Sequence, residues 1–109
     1  MKFVALKDLK QVIKLKDFLR FKREPFSIDL ETSGVDPRRS EIVGIGMGWN
    51  EKGAVYIPIK HKYDQPFDGE EALRLLEPLL VQGSFIAFNA VFDLEFLEFS
   101  PGIVHTGEC

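Results

Sequence analysis

Cysteine is almost absent from this sequence. The only one among 109 residues is the last, Cys109, so neither a disulfide framework nor a thiolate metal cluster is available. An excess of basic residues is also lacking. Fourteen Lys and Arg against seventeen Asp and Glu leave a formal net charge of −3, which excludes attraction to polyanions by bulk electrostatics. A nucleic-acid ligand would need its phosphate charge offset locally, and a bound divalent cation is one way to do that. No run approaches the roughly 18 apolar residues of a membrane span. The start, Met1 to Lys7, has no long apolar stretch of the signal-peptide kind. Repeats, low-complexity tracts and linkers are missing too. What remains is 45% apolar, with ten Phe, as expected of one soluble, cytoplasmic, globular domain with a real core.

The apolar pattern predicts the elements. Phe3 to Leu6 is a short strand candidate. From Asp8 to Lys22, Leu9, Val12, Ile13, Phe18 and Leu19 recur near helical spacing, with Asp8 as cap and Pro25 as terminator. Phe26 to Glu31 alternates as a strand, and Thr32 to Ser40 forms a loop. Ile42 to Trp49 reads as a second strand with Val43, Ile45, Met47 and Trp49 on one face. Gly44, Gly46 and Gly48 share the other, so something bulky should pack closely there. A turn at Asn50 to Gly53 leads to a strand from Ala54 to Ile59, which Pro58 places at a sheet edge. Asp68-Gly69-Glu70-Glu71 resembles a capping box for a helix to about Val81. Phe85 to Phe88 is a further strand, Asn89 begins a helix to about Glu98, and Ile103-Val104 starts another strand. A three-strand antiparallel meander followed by alternating helices and strands predicts an α/β domain with a mixed sheet.

Two acidic constellations stand out. Asp29 and Glu31 are two apart in a strand, so both carboxylates project from one face while Phe26, Ile28 and Leu30 fill the other. Neighbouring carboxylates repel, and a shared cation or a shared proton relieves them. An acidic solvent face would look the same. Asn89 and Asp93 lie four apart on one face at the start of a helix, where a cap and a dipole-compatible acid would account for both. Their place directly after a strand is where ligands collect in α/β sheets.

Phe26-Ser27-Ile28-Asp29-Leu30-Glu31-Thr32-Ser33-Gly34 resembles the first motif, Asp-x-Glu-Thr, of the DEDD 3′–5′ exonucleases. Ala87-Phe88-Asn89-Ala90-Val91-Phe92-Asp93-Leu94 resembles their second, Asn-x-x-x-Phe/Tyr-Asp. Glu41 to Ile45 and Ala54 to Ile59 are similar to the intervening strands of the proofreading domain of family A DNA polymerases, and Leu76 to Leu80, with Pro78, fits the helix before the second motif. The resemblance spans roughly residues 3 to 105. It implies a ribonuclease-H-like fold and metal-dependent hydrolysis of phosphodiesters at nucleic-acid 3′ ends, single-stranded DNA first among them. It further implies two divalent ions, Mg²⁺ or Mn²⁺, about 3.5–4 Å apart, which activate a water and stabilise the leaving 3′ oxygen. By the same resemblance Asp29 bridges both ions, Glu31 ligates the one beside the nucleophile, and Asp93 holds the other. Thr32 and Val35 match positions that approach the terminal nucleotide, and Asn89 and Phe92 match positions around the 3′ end. Simpler roles compete: Thr32 as the start of a turn, Val35 as loop packing, Phe92 in a core stripe with Phe88, Phe96 and Phe99.

The family's third motif, Tyr-x-x-x-Asp or His-x-x-x-Asp, has no match before Cys109, and His105-Thr106 stands where Asp-Thr is common. The expectation is an exonuclease domain whose C-terminal part, with the fourth carboxylate, is missing. A fragment of a longer exonuclease or polymerase, a split half completed by another segment, and an inactive interaction module all fit that pattern. A ribonuclease-D-like exoribonuclease shares the first two motifs.

Overall fold

The computed structural model describes residues 4–23, 25–36, 38–49, 53–82, 85–87 and 97–98. Local chemistry sets each boundary. Helix α1 (Leu9–Lys22) starts where the Asp8 side chain accepts the Gln11 N–H at 2.8 Å, while Gln11 Oε1 accepts the Lys7 N–H at 2.6 Å. These reciprocal bonds satisfy donors that a helix start otherwise leaves open. Its end is a left-handed residue, Arg23 at φ 50°, whose N–H turns back to the Arg20 carbonyl. Helix α2 (Gly69–Gln82) is capped by Asp68, whose Oδ1 accepts the N–H groups of Glu70 at 3.0 Å and Glu71 at 3.3 Å. The anticipated capping box is present on the Asp68 side; the Glu71 carboxylate turns instead to Arg74 at 2.9 Å. Gly69 is required here, because a β-carbon on it would run into the Ile59 carbonyl.

Five strands form one sheet in the order β1-β4-β3-β2-β5. They are β1 (Val4–Ala5), β2 (Phe26–Thr32), β3 (Ile42–Gly48), β4 (Ala54–Pro58) and β5 (Phe85–Ala87). The meander β2-β3-β4 is antiparallel, and β1 and β5 join in parallel, giving the mixed α/β sheet that the pattern predicts. Trp49 N–H donates to the Gly53 carbonyl at 3.1 Å and closes the β3–β4 hairpin around a turn whose residues 50–52 lie outside those described. The predicted helix from Asn89 also lies outside them, apart from Leu97 and Glu98, which are helical. Ile103-Val104 lies outside entirely.

Two expectations need correction. Strand β4 is not an edge, because β1 lies beside it with Val4 opposite Val55 and Ala5 opposite Tyr56. Pro58 tolerates this because the two-residue β1 stops short of it, so the missing N–H costs no ladder bond there. Val43 does not share the core face of β3 either. The register shifts between Glu31 and Thr32, from the pair Glu31–Gly44 to the pair Thr32–Ile42. That bulge gives β3 one extra residue and puts Ile42 in the core at 3% exposure, leaving Val43 half-buried. The Val43 carbonyl then accepts two N–H groups, from Ile59 at 2.8 Å and Lys60 at 3.0 Å.

Val12, Leu15 and Leu19 of α1 and Ala72, Leu76, Leu79 and Leu80 of α2 form one cluster with Ile28, Leu30, Ile45, Met47 and Ile57 of the sheet. Each Leu or Ile buried this way contributes about 1.5–3 kcal/mol relative to leaving it in water. The two helices therefore cover one face of the sheet. The opposite face carries Ser27, Asp29 and Glu31 on β2, Gly44, Gly46 and Gly48 on β3, and Tyr56 on β4, by strand alternation and register.

Candidate active site

Strand β2 presents the carboxylates because its alternation is strict. Phe26, Ile28 and Leu30 are buried, whereas Asp29 and Glu31 are exposed. Their Cα atoms are roughly 6.5 Å apart along the strand, within reach of one ligand between the side chains. The neighbouring strand offers no side chain to cover them, since Asp29 lies opposite Gly46 and Glu31 opposite Gly44. Two exposed carboxylates beside a glycine track are hard oxygen donors of the kind that suits a hard divalent cation.

The bulky neighbour expected over the glycines is Tyr56. It stands opposite Gly46 and leans over Gly44, where a β-carbon would collide with its ring and hydroxyl. Its hydroxyl lies over Gly44, the cross-strand partner of Glu31, and bonds His61 Nε2 at 2.7 Å. Burial, then the charge of Glu31, then the hydrogen bond to Glu31 push the phenol up to about 12 from its ordinary 10. The Tyr56 and His61 rings meet edge to face, with centroids 5.5 Å apart. Tyr56 lies in the Ala54 to Ile59 stretch and His61 just beyond it, and neither belongs to the two acidic motifs. Strand alternation is the signal that faces Tyr56 toward the glycines.

The loop after β2 is tightly held. The Thr32 hydroxyl donates to the Gly34 carbonyl at 2.7 Å, so the turn role anticipated for Thr32 is real. Ser33 and Glu41 exchange two bonds, Ser33 N–H to the Glu41 carbonyl and Glu41 N–H to the Ser33 hydroxyl, both at 2.9 Å. Val35 on this loop is 84% exposed, which rules out the loop-packing role for it. Asn89, Phe92 and Asp93 lie outside the described residues. Among the described residues, three or more His, Cys, Asp or Glu do not gather as a metal cluster. A groove of about 670 Å³ between the β3 and β4 ends and the start of α2 includes neither Asp29 nor Glu31. Its charges are mixed, and Lys60 is already paired with Glu41 at 2.7 Å. No helix among the described residues is long and apolar enough to cross a membrane.

The chain is similar to several known proteins. A stretch of 60 residues, 52% of the chain, is 33% identical to DNA polymerase I of Pseudomonas aeruginosa and spans 7% of that protein. NrnC of Brucella melitensis matches in structure with TM-score 0.62 and 20% identity over 97% of this chain and 47% of its own. Further structures of NrnC hold bound Mg²⁺ and pGG. Escherichia coli RNase D, an exoribonuclease involved in structured RNA processing, matches with TM-score 0.63 and 14% identity over 90% of this chain and 24% of its own. The chain thus spans half the length of these proteins or less, and the two structural likenesses show a ribonuclease-H-like fold. The model of the 3′–5′ exonuclease family matches residues 4–106, nearly the whole sequence, and the chain belongs to that family.

Proposed function

We propose that this chain forms the metal-binding part of a 3′–5′ exonuclease that removes nucleotides from DNA ends, as a proofreading domain does beside a polymerase. One observation carries the reading: Asp29 and Glu31 are both exposed on the face of β2 that looks onto glycines, while the alternate residues Phe26, Ile28 and Leu30 are buried. Family membership supports the reaction class, and the identity shared with a DNA polymerase supports DNA as substrate.

In this reading Asp29, Glu31 and Asp93 are the catalytic carboxylates and hold two divalent ions, Mg²⁺ or Mn²⁺. Such ions would neutralise charge at the scissile phosphate and lower the pKa of water so that hydroxide is available as the nucleophile. Asp29 and Glu31 present the oxygen donors from a rigid strand. Val35, apolar and exposed at the loop tip, contacts the terminal base. Thr32 keeps that loop in place through Gly34. Asn89 and Phe92 border the 3′ end. The partners are a single-stranded 3′ end and either a polymerase domain or a complementing segment that brings the fourth carboxylate.

A second reading, an exoribonuclease, is favoured by the fold shared with RNase D. The test is digestion of matched 5′-labelled DNA and RNA oligonucleotides by the whole protein that carries this chain. A ladder shortening from the 3′ end of DNA, lost with EDTA and with Asp29→Ala, is the expected result. A ladder on RNA alone selects the second reading, and no metal-dependent shortening of either contradicts both.

A further inference from the structure

The open face holds one arrangement that the carboxylate reading leaves unused. Tyr56, rooted on β4, carries its hydroxyl over Gly44, the cross-strand partner of Glu31, and bonds the His61 ring there at 2.7 Å. We infer that Tyr56, backed by His61, is a positioning residue for Glu31, engaging one carboxylate lone pair so that the remaining ones face a divalent ion. The inference rests on the proposed role of Glu31 as a metal ligand.

Donor and acceptor capacity fixes the direction of this chain of bonds. A carboxylate only accepts, so the phenol proton points to Glu31. The phenol oxygen must then accept from His61, which makes Nε2 of His61 the protonated nitrogen in the 2.7 Å contact. The order is His61 Nε2–H to Tyr56 Oη–H to Glu31.

The rest of the structure holds this relay still. Gly44 leaves the space that the Tyr56 ring fills, and any larger residue there would push it out. His61 sits on the loop after β4, and its N–H donates to Gln65 Oε1 at 2.9 Å. Gln65 Nε2 in turn donates to the carbonyls of Pro58 and Phe67, both at 2.9 Å. Asp64 adopts φ 58° within this loop, a left-handed turn that Asp tolerates better than most residues. The loop is therefore knotted to the end of β4, beside the residue that it supports. An exposed carboxylate on a strand is otherwise free to rotate, and groups that orient metal ligands typically change affinity or activity by roughly 10–100-fold when removed.

A merely structural role, pinning the loop, makes a different prediction. Tyr56→Phe keeps the ring over Gly44 and deletes only the hydroxyl. With a positioning role, calorimetric titration of the full chain with Mn²⁺ should show the dissociation constant rising by about tenfold or more at an unchanged melting temperature. Mn²⁺ should also change the near-ultraviolet tyrosine absorption of the wild type and fail to do so in Tyr56→Phe, which leaves only the exposed Tyr63. His61→Gln, which keeps an N–H donor, should retain more affinity than His61→Ala. Asp29→Ala serves as the reference. Lost binding in Asp29→Ala with wild-type binding in Tyr56→Phe overturns the positioning role and leaves the proposed function standing. Wild-type binding in Asp29→Ala overturns the metal site itself, and this inference with it.

Discussion

The two faces of one strand follow opposite rules. On one side of β2, Phe26, Ile28 and Leu30 are sealed under two helices; on the other, one residue away, Asp29 and Glu31 stand open to solvent. The helix-covered side is dense and redundant, built from side chains that any Leu or Ile of similar volume approximates. The open side depends on glycines, a tyrosine seated over Gly44 and a histidine on a loop held by Gln65. In the proposed function, stability and chemistry are carried by alternate residues of the same strand, a division that the two-residue period of a sheet makes possible. Substitutions on each side should separate the two cleanly.

The largest effect belongs to the packed side. Ile28 is fully buried, and Ile28→Ala should cost about 2–5 kcal/mol in urea unfolding. Under conditions where the variant still folds, its Mn²⁺ affinity should match the wild type. A variant that keeps its stability but loses metal would mean that the faces are not independent.

Much of this division is legible in the sequence, because it rests on short-range patterns. Alternation from Phe26 to Glu31 is enough to separate the carboxylates from the core, and the caps Asp8 and Asp68 locate both helices. The illegible parts are those set by residues distant in sequence. A bulge looks like unbroken alternation in one strand, so the pattern alone puts Val43 where Ile42 belongs. A proline reports one missing N–H and says nothing of a two-residue strand arriving from the N-terminus, so β4 reads as an edge. Tyr56 and His61 join the site through a diagonal cross-strand contact and a loop closure, and neither leaves a local signature.

A smaller effect is expected away from both faces. Asp68→Ala removes the cap of α2 and should cost about 1 kcal/mol, with unchanged metal binding. A loss of affinity there would extend the functional side to the groove at the start of α2.

The smallest effect on stability, and the sharpest on the open face, belongs to Glu31→Gln. Near neutral pH its melting temperature should stay close to wild type. The change should appear in an ultraviolet pH titration. Tyr56 is raised to about 12, so the fold favours the neutral phenol. That contribution is complete below pH 10 and is lost as pH rises through about 12. Without the Glu31 charge and hydrogen bond, ionisation should move partway back toward 10; burial, the larger cause, remains. An unmoved titration would show that Tyr56 does not sense Glu31.

The claim on which the rest depends is that Asp29 and Glu31 form a metal site. Calorimetric titration of the full chain with Mn²⁺, beside Asp29→Ala, tests it most directly. Saturable binding to the wild type that falls by about 100-fold or more in a variant of equal or slightly higher melting temperature is the predicted result, because removing one of two like charges relieves their repulsion. Equal binding by both proteins, or none by the folded wild type, would contradict it.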